Sequence, residues 1–141
     1  MPESPMYRSE AEIKEVVRRF ETCEFKNEEF VHARHLTVAA WYVLEFDRSA
    51  ATQKMRDGLL RFTAHHGKTG YHETITLFWL RAVELHVRET RDARDSVGIV
   101  NEIVAALGDK NLISRHYSRE KITSPEAKSN WAEPDLVPLP L

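Results

Sequence analysis

The chain has 141 residues, 42% of them hydrophobic and 30% charged, a balance typical of one globular domain and not of a disordered chain. Its formal net charge of −2 provides no electrostatic attraction to nucleic acid or to an anionic membrane surface, so we expect neither as a partner. With one cysteine, Cys23, no internal disulfide can form, and the first residues are neither basic nor apolar enough for a signal peptide. These features predict a cytoplasmic protein.

Hydrophobic residues recur with helical spacing along most of the chain, and no run alternates as a strand would. The pattern predicts an all-α fold, a compact bundle of about five helices. Start signals such as Ser9 and Ser49, and stop signals such as Gly67 and Gly108, set the expected boundaries. In chain order the predicted helices run from Ser9 to Phe20, from Asn27 to Asp47, from Ser49 to Gly67, from Tyr71 to Arg94 and from Ser96 to Gly108, followed by short helices over 111–117 and from Ser124 to Trp131.

The two ends of the chain differ from this helical body. We expect a flexible tail over residues 1–8, one helical domain over 9–133 and an extended, proline-rich arm over 134–141. The arm carries Leu136, Val137 and Leu139, which are too apolar to leave loose in water. We therefore expect the arm to pack on its own bundle or on a second copy, which would make the protein a homodimer.

Four histidines are predicted to share one end of the bundle. Short connections favour antiparallel neighbours, which brings together the start of the second helix, the end of the third and the start of the fourth. His32 and His35 fall on the apolar side of the second helix, and His66 aligns with the apolar side of the third. His72 aligns with Ile75 and Trp79 on the fourth helix, opposite its charged strip.

This arrangement predicts a site for a divalent transition metal ion. Residues three apart on a helix lie about 5–6 Å apart, so His32 and His35 can reach one ion. His72 would complete a three-nitrogen set with an open position, suited to Zn, Fe, Ni or Cu, and His66 would close it. Cys23 is a further candidate ligand. Glu73 points about 100° away from His72 and is the predicted catalytic residue if the protein is an enzyme.

Two other interpretations account for the same histidines. The pocket could hold an organic small molecule without a metal, or the imidazoles could form a structural hydrogen-bond network in a non-enzymatic interaction module. His66 lies near a helix C-terminus, where a partly charged imidazole is stabilised by the helix dipole alone. Whether the protein is an enzyme stays open at this point.

Two segments resemble a group of short, uncharacterised bacterial all-helical proteins. One reads His32-Ala33-Arg34-His35-Leu36, a His-x-x-His-Leu motif, and the other reads Gly70-Tyr71-His72-Glu73-Thr74. The tail of that group is similar to the stretches from Tyr117-Ser118 to Ser124-Pro125 and Pro134-Asp135-Leu136. No activity is established for the group, so the resemblance implies motif positions for four site residues and no function. His66 lies outside these motifs.

Overall fold

The computed structural model describes residues 6–68, 70–90 and 95–139, and every regular element in them is a helix. The predicted all-α fold is confirmed. The five long helices are α1 (Glu10–Glu21), α2 (His32–Glu45), α3 (Arg48–His65), α4 (Glu73–Thr90) and α5 (Ser96–Ala106). Two short helices, α6 (Arg119–Ile122) and α7 (Pro125–Ser129), follow, and 3-10 helices occupy Asn27–Glu29 and Lys110–Arg115.

Helix α2 is the centre of the bundle. It packs against α1, α3, α4 and α5, and all seven residues from Leu36 to Tyr42 are buried. A helix that is buried on every side must be apolar on every side, which explains the run Val38-Ala39-Ala40-Trp41. Thr37, the buried polar residue just before this run, donates to the Ala33 carbonyl and forms a hydrogen bond with the Tyr7 hydroxyl. The position of α2 places its first turn, with His32 and His35, where three other elements meet.

The N-terminal tail is fixed to the bundle at Tyr7, contrary to the expectation of a flexible segment up to residue 8. The Tyr7 side chain is buried, and its backbone exchanges two hydrogen bonds with the Asn101 side chain on α5. Residues 1–5 of the predicted tail lie outside the described part of the chain. Helix α1 then begins as predicted, since the Ser9 hydroxyl accepts from the Glu12 amide.

Two predicted helix starts were wrong. The second helix was expected from Asn27, but Asn27–Glu29 forms a separate 3-10 turn and Val31 has extended dihedrals, so α2 begins at His32. The third was expected to be capped by Ser49, whereas the Asp47 carboxylate caps it by accepting from the Ala50 amide at 2.8 Å. In both places a good capping residue stands in the sequence, and the path of the chain decides which one is used. The predicted end of the fourth helix, Arg94, lies outside the described residues.

A cluster of aromatic side chains closes one side of the α1, α2 and α3 interface. The Phe20 ring stacks on Phe30 at 4.7 Å, and Phe62 meets Phe30 at 5.1 Å. Two of the predicted site residues lie at its edges: the His35 ring centroid is 4.1 Å from Phe30, and that of His66 is 4.5 Å from Phe62. The phenylalanine cluster therefore separates His66 from His35.

The C-terminal segment folds back on the bundle through polar contacts. Asp135 accepts from the Ser118 amide and hydroxyl, and the Leu136 amide donates to the His116 carbonyl at 2.9 Å. The side chains of Leu136 and Val137 are 53% and 54% exposed, so the expectation that they pack on the protein's own bundle was wrong. Leu139 is half-buried. A second copy as their cover stays a prediction.

Among the helices of the described residues, none combines the length and the apolar character needed to cross a membrane.

Candidate functional site: a histidine-lined apolar pocket

One pocket of about 470 Å³ lies between the first half of α2, the second half of α3, the start of α4 and the 3-10 helix Lys110–Arg115. Its wall is mainly aromatic and aliphatic, and several polar side chains interrupt it. The lining residues are Phe30, His32, His35, Leu36, Ala39, Met55, Leu59, Thr63, Gly70, Tyr71, His72, Ile75, Thr76, Trp79, Leu80, Lys110, Asn111 and Ile113. Its volume falls in the range of about 300–1,000 Å³ that is usual for small-molecule sites.

Three of the four histidines that the sequence selected line this pocket: His32, His35 and His72. The expected meeting of the starts of α2 and α4 with the end of α3 is therefore present in the structure. His66 is not among the lining residues; its Nε2 bonds the Phe25 carbonyl at 3.1 Å. It follows the last turn of α3, where that backbone carbonyl is the partner within reach.

His72 has hydrogen bonds at both ring nitrogens. Nε2 lies 2.7 Å from the Ile122 carbonyl, which can only accept, so Nε2 carries the proton. Nδ1 accepts from the Ile75 amide at 3.1 Å. A neutral imidazole with both positions occupied has no lone pair left for a ligand. In this arrangement His72 joins the start of α4 to the end of α6.

His32 has one ring nitrogen bonded to the protein. Its Nε2 lies 3.0 Å from the Leu107 carbonyl and must donate to it, which in the neutral ring leaves Nδ1 as an acceptor. The ring packs edge-on against Trp79, with centroids 4.5 Å apart. His32 therefore has a fixed orientation and one lone pair that the protein does not use.

His35 is held neutral by its surroundings. The pKa of the imidazole is lowered from 6.5 to about 4, mainly by burial and in part by the neighbouring His32, while a hydrogen bond to the Phe30 backbone partly opposes the change. At neutral pH the ring is uncharged and presents one nitrogen as a donor and the other as an acceptor. His32 and His35 together give the pocket two imidazoles from one turn of α2.

Glu73 is engaged outside the pocket lining. Arg56 donates to both carboxylate oxygens, at 3.0 Å through Nε and 2.6 Å through Nη2, and the Tyr71 hydroxyl donates to the same carboxylate. The Arg56 guanidinium lowers the pKa of the carboxyl group, so Glu73 is a carboxylate at neutral pH. This ion pair connects α3 to the start of α4. Catalysis by Glu73 stays a prediction.

The motif from Gly70 to Thr74 is explained by what it holds in place. The Thr74 hydroxyl donates to the Asn130 carbonyl at 2.7 Å and accepts from the Ala132 amide at 3.0 Å. With the His72 bond to Ile122, the motif attaches the segment from α6 to Ala132 onto α4. The sequence motif from Gly70 to Thr74 thus has a structural role next to the pocket, since its hydrogen bonds hold the segment from α6 to Ala132 against α4.

In the described part of the chain, no group of three or more His, Cys, Asp or Glu side chains is placed to hold a metal ion. Cys23 is half-buried and is not among the residues that line the pocket. The metal site on His32, His35, His72 and His66 stays a prediction.

Sequence reasoning did not select the residues at the pocket's far wall. Lys110, Asn111 and Ile113 reach it from the 3-10 helix, and Met55 and Leu59 reach it from α3. The helical spacing of Met55 and Leu59 marks them as core residues. For Lys110 and Asn111 no pattern in the sequence distinguishes them from any exposed polar pair.

Comparisons of this chain with protein-family models, with curated proteins and with solved structures find no match.

Proposed function

We propose that this protein binds a small organic molecule in the histidine-lined pocket. The observation that carries the proposal is the pocket itself, a mainly apolar space of about 470 Å³ with a few oriented polar groups. This is the usual composition of a small-molecule site, in which apolar contacts supply affinity and the polar groups orient the ligand. We place the protein in the cytoplasm and assign it no reaction.

The pocket's polar groups favour an uncharged interior. His72 is saturated by the protein, His35 is neutral, and the one charged side chain among the described lining residues, Lys110, is exposed. Burying a full charge in such a wall would cost several kcal/mol without a partner. An apolar molecule has little desolvation cost on entering the pocket. Its binding is favoured by roughly 25 cal/mol for each Å² of apolar surface that leaves water.

A neutral dye tests the proposal. Nile red should bind the protein at about one equivalent with a rise in fluorescence, because its emission increases on leaving water. The variant Ile75→Trp adds bulk to a lining residue that is 36% exposed and should weaken binding at least tenfold. Leu60→Trp is the matched control, since Leu60 is 45% exposed and does not line the pocket. Absent dye binding, or equal loss in both variants, would refute the proposal.

Binding of a transition metal is the second candidate function. It is favoured by the three predicted ligand histidines that line the same pocket. For His72 to take part, it would have to release Ile122 or Ile75. The proposal expects near-stoichiometric Zn, Fe, Ni or Cu in protein purified without a histidine tag.

Cobalt substitution tests the metal candidate. A bound Co ion should give a d–d spectrum that His35→Ala abolishes while the helical circular dichroism persists. His86→Ala is the control, because His86 faces Glu102 on α5 at 3.9 Å and does not line the pocket. If the protein stays metal-free after incubation with each ion, the metal candidate is rejected and the organic ligand remains.

A further inference from the structure

The side chains that line the pocket differ in which hydrogen-bonding role they leave unused. Each of the three hydroxyl groups already donates its proton inside the protein. Thr63 donates to the Leu60 carbonyl at 3.1 Å, Thr76 to the His72 carbonyl at 2.9 Å, and Tyr71 to the Glu73 carboxylate. A hydroxyl group has one proton, so these three groups can offer a ligand only their oxygen lone pairs.

The imidazole rings also have their N–H protons or both nitrogens engaged within the protein. His72 has both nitrogens in use. His32 donates its Nε2 proton to the Leu107 carbonyl, which in the neutral ring leaves the Nδ1 lone pair unused. His35 lines the pocket with its ring centroid 4.1 Å from that of Phe30, and as a neutral imidazole it carries a lone pair at one nitrogen. Among the described side chains of the lining, donors remain at the Trp79 indole N–H and at Lys110 and Asn111, the last two of which are exposed.

We infer that the ligand of this pocket is an uncharged apolar molecule carrying a hydrogen-bond donor, a hydroxyl or N–H group, which bonds the free imidazole nitrogen of His32 or His35. This inference rests on the proposed organic-ligand function and narrows its ligand class. A carboxylate inside the pocket would find no charged partner among the buried side chains of the described lining, and the imidazole and hydroxyl lone pairs would repel it. A ligand with only acceptors, such as an ether or an ester, would cover the imidazole lone pairs and leave them unpaired in a mainly apolar wall.

Three naphthalene derivatives separate these ligand classes by isothermal titration calorimetry at pH 7.5. The probes are 1-naphthol, a neutral donor; 1-methoxynaphthalene, which keeps the oxygen and lacks the donor; and 1-naphthoate, an anion. We expect 1-naphthol to bind roughly 3- to 10-fold tighter than 1-methoxynaphthalene, the net worth of one hydrogen bond. 1-Naphthoate should bind weakest of the three.

Variants locate the acceptor. The pair His32→Phe and His35→Phe, made singly and together, keeps an aromatic ring and removes the lone pairs. The preference for 1-naphthol should fall below about twofold in the double variant and in at least one single variant. His65→Phe, at an exposed histidine that does not line the pocket, is the matched control and should leave that preference unchanged. Since the ligand series on the wild-type protein decides the inference by itself, it stays testable if the double variant does not fold.

Each other result overturns the inference. Equal binding of 1-naphthol and 1-methoxynaphthalene rejects the donor requirement and leaves the proposed function standing. Tightest binding by 1-naphthoate, lost in Lys110→Ala, shows an anion site at the pocket mouth instead. If none of the three probes binds, the inference fails, and the Nile red titration decides whether the proposed function fails with it.

Discussion

At the scale of single residues, the partners of each imidazole decide what it can do. His32, His35 and His72 look alike in the sequence, as inward histidines near helix starts. In the structure one is saturated by the backbone, one has a single bond to the backbone, and one is neutral through burial. Since a buried polar ring must find partners, the presence of histidines inside is predictable. Which nitrogen stays free depends on carbonyl groups that are distant in the chain.

The neutral His35 makes stability fall in mild acid. The pKa of this imidazole is 6.5 in the unfolded chain and about 4 in the folded protein. Between these values the unfolded state binds the proton and the folded state does not, so acid favours unfolding. The contribution of His35 should be lost progressively from pH 6.5 to pH 4, by up to about 3 kcal/mol at 1.36 kcal/mol per pH unit, and level off below.

Urea denaturation of the wild type and of His35→Phe at a series of pH values measures this contribution. Titrating groups other than the neighbouring His32 change both proteins alike, so the difference between the two free energies of unfolding reports His35 together with its coupling to His32. We expect the wild type to lose stability relative to the variant as the pH falls from 6.5 to 4. Parallel curves over this range would show that burial does not hold His35 neutral.

At the scale of helices, the chain's path chooses among capping residues of similar quality. The α2–α3 connection contains both Asp47 and Ser49, and either could begin a helix. Helix α2 ends at Glu45, and the next two residues, Phe46 and Asp47, have extended dihedrals, so the turn is complete at Asp47 and α3 starts at Arg48. Ser49 is then inside the first turn, where its hydroxyl has no capping role.

Substitution of the two residues by alanine distinguishes them. Asp47→Ala removes the acceptor of the Ala50 amide and should lower the free energy of unfolding by about 1 kcal/mol. Ser49→Ala, the control, should change it by less than about 0.5 kcal/mol, as is usual for an exposed site. Urea denaturation at pH 7 measures both. A larger effect of Ser49→Ala would mean that α3 begins later than at Arg48.

At the scale of the whole molecule, the segment after the bundle contributes to stability through polar contacts. Tyr117 is buried and donates to the Ala132 carbonyl at 2.6 Å, while Asp135 accepts two bonds from Ser118. Of the arm's apolar side chains, Leu136 and Val137 are more than half exposed and contribute little, while Leu139 is half-buried. The polar contacts of the arm are made by its backbone and one carboxylate.

Truncation after Glu133 should lower the melting temperature by several degrees, because it removes the Asp135 and Leu136 bonds to Ser118 and His116. The double variant Leu136→Ser/Val137→Ser is the matched control and should melt as the wild type does when monomeric. Light scattering adds a test of the predicted homodimer: a second copy covering these side chains would give a dimer that the double variant breaks. An unchanged melting temperature after truncation would show that the polar contacts of the arm do not stabilise the fold.

The sequence by itself determined the helical class, the five long helices and the end of the bundle where histidines gather. Helical spacing of apolar residues encodes which side of each helix is buried, and short connections encode which ends meet, so both can be read locally. These two signals are sufficient to predict that His32, His35 and His72 share one end of the bundle, and all three line the pocket there.

Only the tertiary structure decided which residues line the pocket at that end of the bundle and which histidine nitrogens stay free. His66 bonds the Phe25 carbonyl and does not line the pocket, Lys110 and Asn111 line it from a segment far along the chain, and the Ile122 carbonyl accepts from one nitrogen of His72. Each of these contacts joins residues more than 35 positions apart in the sequence or depends on a backbone carbonyl, which no side-chain pattern records. Hydrogen-bond partners are set by where distant backbone lies after packing, and they determine whether a histidine can bind a ligand.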